Sequence, residues 1–225
     1  MKSITSYLHL VSCLVLLATP SVAQAQPAPV YGGFSFINCT RLLGTLMLKV
    51  DGSPYRPAGY LPGAYSQGGQ LAVGSHSFSL ENEGATTIAQ SVTMAPGDSV
   101  LCIGYTIEKT KADGRVETFL KLMQLADKPK SSGFHYTGLY VSEKPSCTLY
   151  INKQPIEFPS MKLVAIDAEH SLRVSSTPPD PRVDERLQAP GNLKFNPAEN
   201  GDYLLVIFDG PDGKPKFCLP YHTKD

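Results

Sequence analysis

The sequence predicts an all-β fold, two tandem antiparallel β-sandwich domains, from three observations. Apolar residues recur with period two: Phe34 and Phe36, then Leu46, Leu48 and Val50, then Phe78 and Leu80. Turn dipeptides separate such runs, among them Asp51-Gly52, Pro96-Gly97, Asp113-Gly114, Asn200-Gly201 and Asp212-Gly213, where glycine enters the left-handed region without steric cost. Nineteen glycines and nineteen prolines leave little room for a long helix, because proline removes a backbone donor and clashes with the preceding turn.

The same punctuation occurs twice in the same order. The strand and turn from Thr45 to Pro54 match Ser146 to Pro155. Gly74 to Leu80 matches Ala168 to Val174, which sets His76 against His170. Gly97 to Leu101 matches Gly201 to Leu205, and Asp113-Gly114 matches Asp212-Gly213. A duplicated unit of about 90 to 100 residues follows, a comfortable size for one small domain.

Taken in order, residues 1–25 read as a secretory signal. Lys2 leads, an apolar stretch runs from Leu10 to Ala18, and Ala23-Gln24-Ala25 offers a small-x-small cleavage site. Residues 26–32 form a flexible N-terminal tail, 33–125 the first β-sandwich and 134–225 the second. The polar segment 126–133, Ala-Asp-Lys-Pro-Lys-Ser-Ser-Gly, is the linker between them. A further polar stretch from Ser175 to Gly191 carries Pro178-Pro179-Asp180-Pro181 and reads as a long loop. After Ala25 no apolar run reaches the roughly 20 residues that span a bilayer as a helix.

Charge is balanced, with 20 basic and 20 acidic residues. The basic excess that offsets phosphate charge in nucleic-acid binding is missing, as is a polybasic membrane tether. Beyond the signal lie Cys39, Cys102, Cys147 and Cys218, two in each unit. An even count in an exported chain reads as disulfides. Of the three pairings, the repeat favours Cys39 with Cys102 and Cys147 with Cys218, each bridge adding about 4 kcal/mol in the chain-entropy model.

The first unit, through Phe36-Ile37-Asn38, Val50-Asp51-Gly52-Ser53-Pro54 and Val73-Gly74-Ser75-His76-Ser77-Phe78, resembles a widespread set of exported bacterial domains. It is also similar to the PEGA domain, a small sandwich of immunoglobulin-like or transthyretin-like kind. The resemblance implies extracytoplasmic scaffolding or binding and carries over no chemistry. The second unit departs from it where Asn152-Lys153 replaces Asp-Gly.

No catalytic constellation stands out. Serine chemistry would need a Gly-x-Ser-x-Gly elbow between strand and helix, and no such turn is present. A metal site needs several convergent ligands, and nothing recurs at ligand spacing beside both His76 and His170, so capping of a turn is the reading for each. Carboxylates such as Glu81 with Glu83, and Asp180 with Asp184 and Glu185, read as solvating charges. Asn38-Cys39-Thr40 has the form of a glycosylation acceptor. The least ordinary feature is the Pro/Gly-rich stretch 53–69, whose Tyr55, Arg56, Tyr60 and Tyr65 are the candidate contact residues. Tyrosine there either grips a partner or packs over a sheet edge, since its ring is apolar and its tip polar.

These readings point to an exported, non-enzymatic binding or assembly module of the bacterial periplasm or cell envelope. It would take no cofactor or metal, and its partner would be an envelope protein or glycan. The alternative is a carbohydrate-binding accessory module or divergent glycan hydrolase using carboxylates of the 175–191 loop, against which the lack of tryptophan counts.

Overall fold

The computed structural model describes residues 30–66, 68–126, 133–178, 192–198 and 200–222, apart from the side chains at 192 and 219–222. The expected signal peptide, most of the tail, linker residues 127–132 and loop residues 179–191 lie outside the described residues.

Among the described residues the regular structure is all strand. The first half holds β1 (Tyr31–Asn38), β2 (Met47–Val50), β3 (Ser53–Pro54), β4 (Gly69–Ala72), β5 (Gly74–Asn82), β6 (Ala85–Met94), β7 (Ser99–Thr110) and β8 (Val116–Ala126). The second holds β9 (Phe134–Val141), β10 (Ser146–Ile151), β11 (Gln154–Pro159), β12 (Leu163–Ile166), β13 (Leu172–Ser175), β14 (Asn192–Phe195), β15 (Gly201–Asp209) and β16 (Pro215–His222). The first ordered strand begins at Tyr31, inside the stretch expected to be tail.

The duplication is written in the topology. The second half has sheets ordered β11-β10-β13-β14 and β12-β9-β15-β16. The first half runs β3-β2-β5-β6-β8-β7-β1-β4 as one eight-stranded sheet, in which a single parallel pair, Thr86 with Phe119, joins β6 to β8. Divided at that junction, its two groups have the strand order of the second half. In each half the opening strand lies parallel to the seventh, β1 on β7 and β9 on β15. The purely antiparallel expectation is therefore corrected. Parallel neighbours need a long crossover, and here strands of the opposing group supply it where a helix often does.

Two equivalent hairpins show how local chemistry sets this up. Asp51 and Gly52 have φ of 50° and 80°, and Asn152 and Lys153 have 48° and 74°. Positive φ at both central residues is the two-residue turn whose twist matches that of the flanking strands. Asp and Asn tolerate that conformation; lysine occupies it against its preference.

Alternation along the strands divides the apolar side chains between three clusters. Phe34, Phe36, Leu48, Phe78, Leu80, Val100, Cys102 and Leu120 belong to the cluster of the first half. Tyr136, Tyr140, Leu149, Phe158, Val174, Leu205 and Ile207 belong to that of the second. The third draws on both: Ile37, Cys39, Leu101 and Ile103 meet Leu139, Val141, Val206 and Phe208. Both faces of β1, β7, β9 and β15 are thereby buried, and the halves share a third core besides the one each closes for itself. The Glu108 backbone N–H adds a hydrogen bond across the join, to Glu143 Oε1 at 2.8 Å.

The same alternation overturns the expected disulfides. Among the described residues, Cys39, Cys102, Cys147 and Cys218 are unbridged. Cys102 faces the first core while Cys39 faces the shared one; Cys147 packs on the second core and Cys218 on the shared one. Each expected partner thus lies on the opposite face of a sheet. Cys102 sits beside Phe36 in the register, and Cys39, three residues past Phe36, faces the other way. The repeat alignment itself slips by one residue at β15. Val100, aligned with Leu204, packs in the first core, whereas Leu204 packs on the shared cluster.

Candidate functional site

The tyrosine loop is built outward from a buried asparagine. Asn38, at the end of β1, is fully buried, and its Nδ2 donates to the Tyr60 carbonyl at 2.7 Å. Its Oδ1 accepts from the Thr40 N–H and hydroxyl, at 2.9 and 2.8 Å. Its backbone N–H bonds Ala64 O, and its carbonyl accepts from Gly63. Reciprocal bonds between Tyr60 and Leu46 fix the other side of the loop. Burial with this bonding leaves the Asn38 amide no access to a glycan, so the acceptor reading of Asn38-Cys39-Thr40 fails in the folded chain.

This anchoring separates the four candidate contact residues. Tyr60 is only 1% exposed; its ring meets Phe36 edge-on at 5.0 Å, and burial pushes its phenol up. Tyr55 is half-buried, edge-on to Phe34 at 4.8 Å. Gly69 permits this, because a Cβ there would collide with the Tyr55 hydroxyl and the Phe34 ring. Arg56 is exposed and lays its guanidinium 5.6 Å from the centre of the Tyr60 ring. Tyr65 is 39% exposed, and Leu61, which sequence reasoning passed over, is 60% exposed. The loop therefore offers Arg56, Leu61 and Tyr65 outward and spends Tyr60 on the core. It also touches the other half: a Cβ on Gly63 would sit 3.3 Å from the Phe208 ring.

A second site is an open polar depression lined by Asp51, Ser75, His76, Ser77, Gln90 and Ser91. His76 Nδ1 lies 2.7 Å from Asp51 Oδ2, and Nε2 lies 2.7 Å from the Ala72 carbonyl. Carboxylate and carbonyl are acceptors only, so a doubly protonated ring satisfies both contacts. The Asp51 hydrogen bond, then the Ala72 carbonyl, raises the His76 pKa, and His76 lowers that of Asp51. In that form the ring has no lone pair with which to act as a base or bind a metal. The capping role expected of His76 is what the bonds describe, since Asp51 Oδ1 also accepts from Ser77 N–H at 2.8 Å.

The equivalence of His76 and His170 does not hold. Val50 pairs with Phe78 and Ile151 with Val174, which places Leu172 opposite His76 in the repeat. His170, two residues away, stacks on Phe134 at 4.7 Å. His76 lies within β5, whereas His170 lies in a bend before β13.

A buried, multiply bonded carboxylate went unnoticed in the sequence. Asp209, 1% exposed, accepts from Tyr140 Oη at 3.1 Å, Ser142 Oγ at 2.6 Å and Lys144 Nζ at 3.0 Å. It closes the end of the second half, and Lys144 carries the bond on to the Gly213 carbonyl. Its donors sit at alternate positions 140, 142 and 144, a spacing with no meaning until β15 is laid beside β9. Cys147 is nearby, but burial and the Asp209 charge push its thiol up to about 12, so it is no nucleophile at neutral pH.

Of the carboxylate pairs, Glu81 is tied to Lys49 at 2.7 Å. Asp180, Asp184 and Glu185 lie outside the described residues. Among the described residues no group of three or more His, Cys, Asp or Glu side chains converges, and no helix is long and apolar enough to cross a membrane. In comparisons with known proteins, no family model and no curated protein matches the chain.

Proposed function

We propose that the chain is an exported, non-enzymatic binding or assembly module of the bacterial periplasm or cell envelope, built as two tandem β-sandwich domains joined through a shared core. The observation that carries this reading is the loop 55–65. Its backbone is tied to buried Asn38 and to Leu46, yet it presents Arg56, Leu61 and Tyr65 to solvent. A fixed backbone carrying exposed aromatic, aliphatic and guanidinium groups suits contact, because little conformational entropy is lost when a partner docks. Two polar side chains of chemically useful type are committed to structure, His76 between two acceptors and Asp209 among three donors.

The test is retention of envelope proteins and of arrayed glycans by the purified protein and by the Arg56→Ala, Leu61→Ala, Tyr65→Ala triple variant. Loss of a specific partner at unchanged thermal stability supports the contact role. A partner retained by the triple variant refutes this loop as the contact surface. Reproducible sugar binding makes the partner a glycan.

A further inference from the structure

We propose that Cys39 and Cys218 form a disulfide that staples the two halves together, while Cys102 and Cys147 remain thiols. The alternation that separates the expected partners brings this pair into one place. Cys39 follows β1 and is 2% exposed within the shared cluster; Cys218, on β16, packs against the same cluster from the other half. Cys218 lies beside Val206 in the sheet register, and Val206 is itself a buried member of that cluster. Cys39 also follows Asn38, whose carbonyl receives Gly63 where the loop meets Phe208 of the second half. Cys102 and Cys147 have no such option, since each packs with the core of its own half.

The two sulfurs sense each other, as a Cys218 thiolate adds to the burial that pushes the Cys39 thiol well above its usual value. Cys218 is itself pushed up to about 12. The thiolate is the attacking species, so the bond should form while the chain folds, before the shared core closes.

The oxidant is a disulfide, such as oxidised glutathione or a thiol-disulfide oxidoreductase. One protein thiolate attacks it, releasing one thiol and leaving a mixed disulfide. The second protein thiolate then attacks the protein-side sulfur and releases the other thiol. Two S–H bonds are lost and one S–S bond forms; two electrons and two protons pass to the oxidant.

The experiment is refolding of the reduced, denatured chain in a buffer of oxidised and reduced glutathione, then alkylation and non-reducing peptide mapping. The expected product is one linked peptide pair holding Cys39 and Cys218, with Cys102 and Cys147 alkylated after unfolding. The Cys102→Ser, Cys147→Ser double variant should form the same link, and Cys39→Ser should leave Cys218 alkylatable with no new link. A bridge to Cys102 or Cys147 in the wild type, or Cys39 and Cys218 both alkylatable, overturns the proposal. The compartment plays no part in this test, so the pairing stands or falls separately from the proposed export.

Discussion

Asp51 and Asn152 do the same work in the two halves. Asp51 N–H bonds Ser77 O and its Oδ1 accepts from Ser77 N–H; Asn152 N–H bonds Arg173 O and its Oδ1 accepts from Arg173 N–H. Each thereby clips its hairpin to the neighbouring strand, β5 or β13. Where Asp51 adds His76, Asn152 instead donates its amide to Ser171 O at 3.1 Å. A neutral clip and a charged one satisfy the same turn, but only the charged one responds to pH.

That response has a defined sign. His76 has its pKa raised from 6.5, so its contribution to stability is complete below about pH 6.5 and is lost as pH rises through the folded value. Asp51 has its pKa lowered from 3.8, so its contribution is present above that value and is lost as pH falls through the folded value. The pair should support the fold most between these limits. NMR titration should place the His76 midpoint above 6.5, and Asp51→Asn should bring it down; a midpoint at or below 6.5 removes the imidazolium.

Lys153→Gly should stabilise the second half. A non-glycine residue at φ of 74° costs about 1–2 kcal/mol, of which the greater freedom of unfolded glycine takes back about 0.5–1 kcal/mol. Urea denaturation should show a net gain of up to about 1.5 kcal/mol; a loss would mean that the lysine side chain outweighs its backbone strain.

Asn38→Ala should cost about 3 kcal/mol, because the Tyr60 carbonyl loses its amide donor and the two Thr40 donors lose their acceptor in a buried site. Hydrogen exchange across residues 60–64 should quicken in the same variant. Unchanged exchange would show that Leu46 alone holds the loop.

Tyr60→Ala and Tyr65→Ala should separate packing from presentation. Loss of the buried Tyr60 ring should cost about 3 kcal/mol or more, and loss of the exposed Tyr65 ring should stay within about 0.5 kcal/mol. Equal losses in thermal unfolding would contradict the burial described for the loop.

The strand content and the duplication were legible because alternation and turn chemistry are local. Val50-Asp51-Gly52 and Ile151-Asn152-Lys153 mark the same turn despite different residues. Register was not legible: at β15 the Gly-Asp alignment is out by one residue, and at His76 by two. A slip of one moves a side chain to the opposite face, and the cysteine pairing, made by unit alone, took no account of faces: Cys39 and Cys218 face the shared cluster, Cys102 and Cys147 the core of their own half. The shared core was hidden for a related reason. Ile37 and Leu101 read as apolar whichever face they occupy, and only parallel pairing of β1 with β7 places them together against Val206 and Phe208. In the loop, tyrosine type alone could not tell Tyr60 from Tyr65, since that depends on Asn38 reaching the Tyr60 carbonyl.

The most direct test of the shared core is hydrogen exchange followed through a urea titration, read separately on β5 with β6 and on β10 with β11, in the wild type and in Phe208→Ala. Joined halves should lose protection at one urea concentration, and Phe208→Ala should lower both midpoints together. Two separate transitions, with only the second half weakened by Phe208→Ala, would contradict a core held in common.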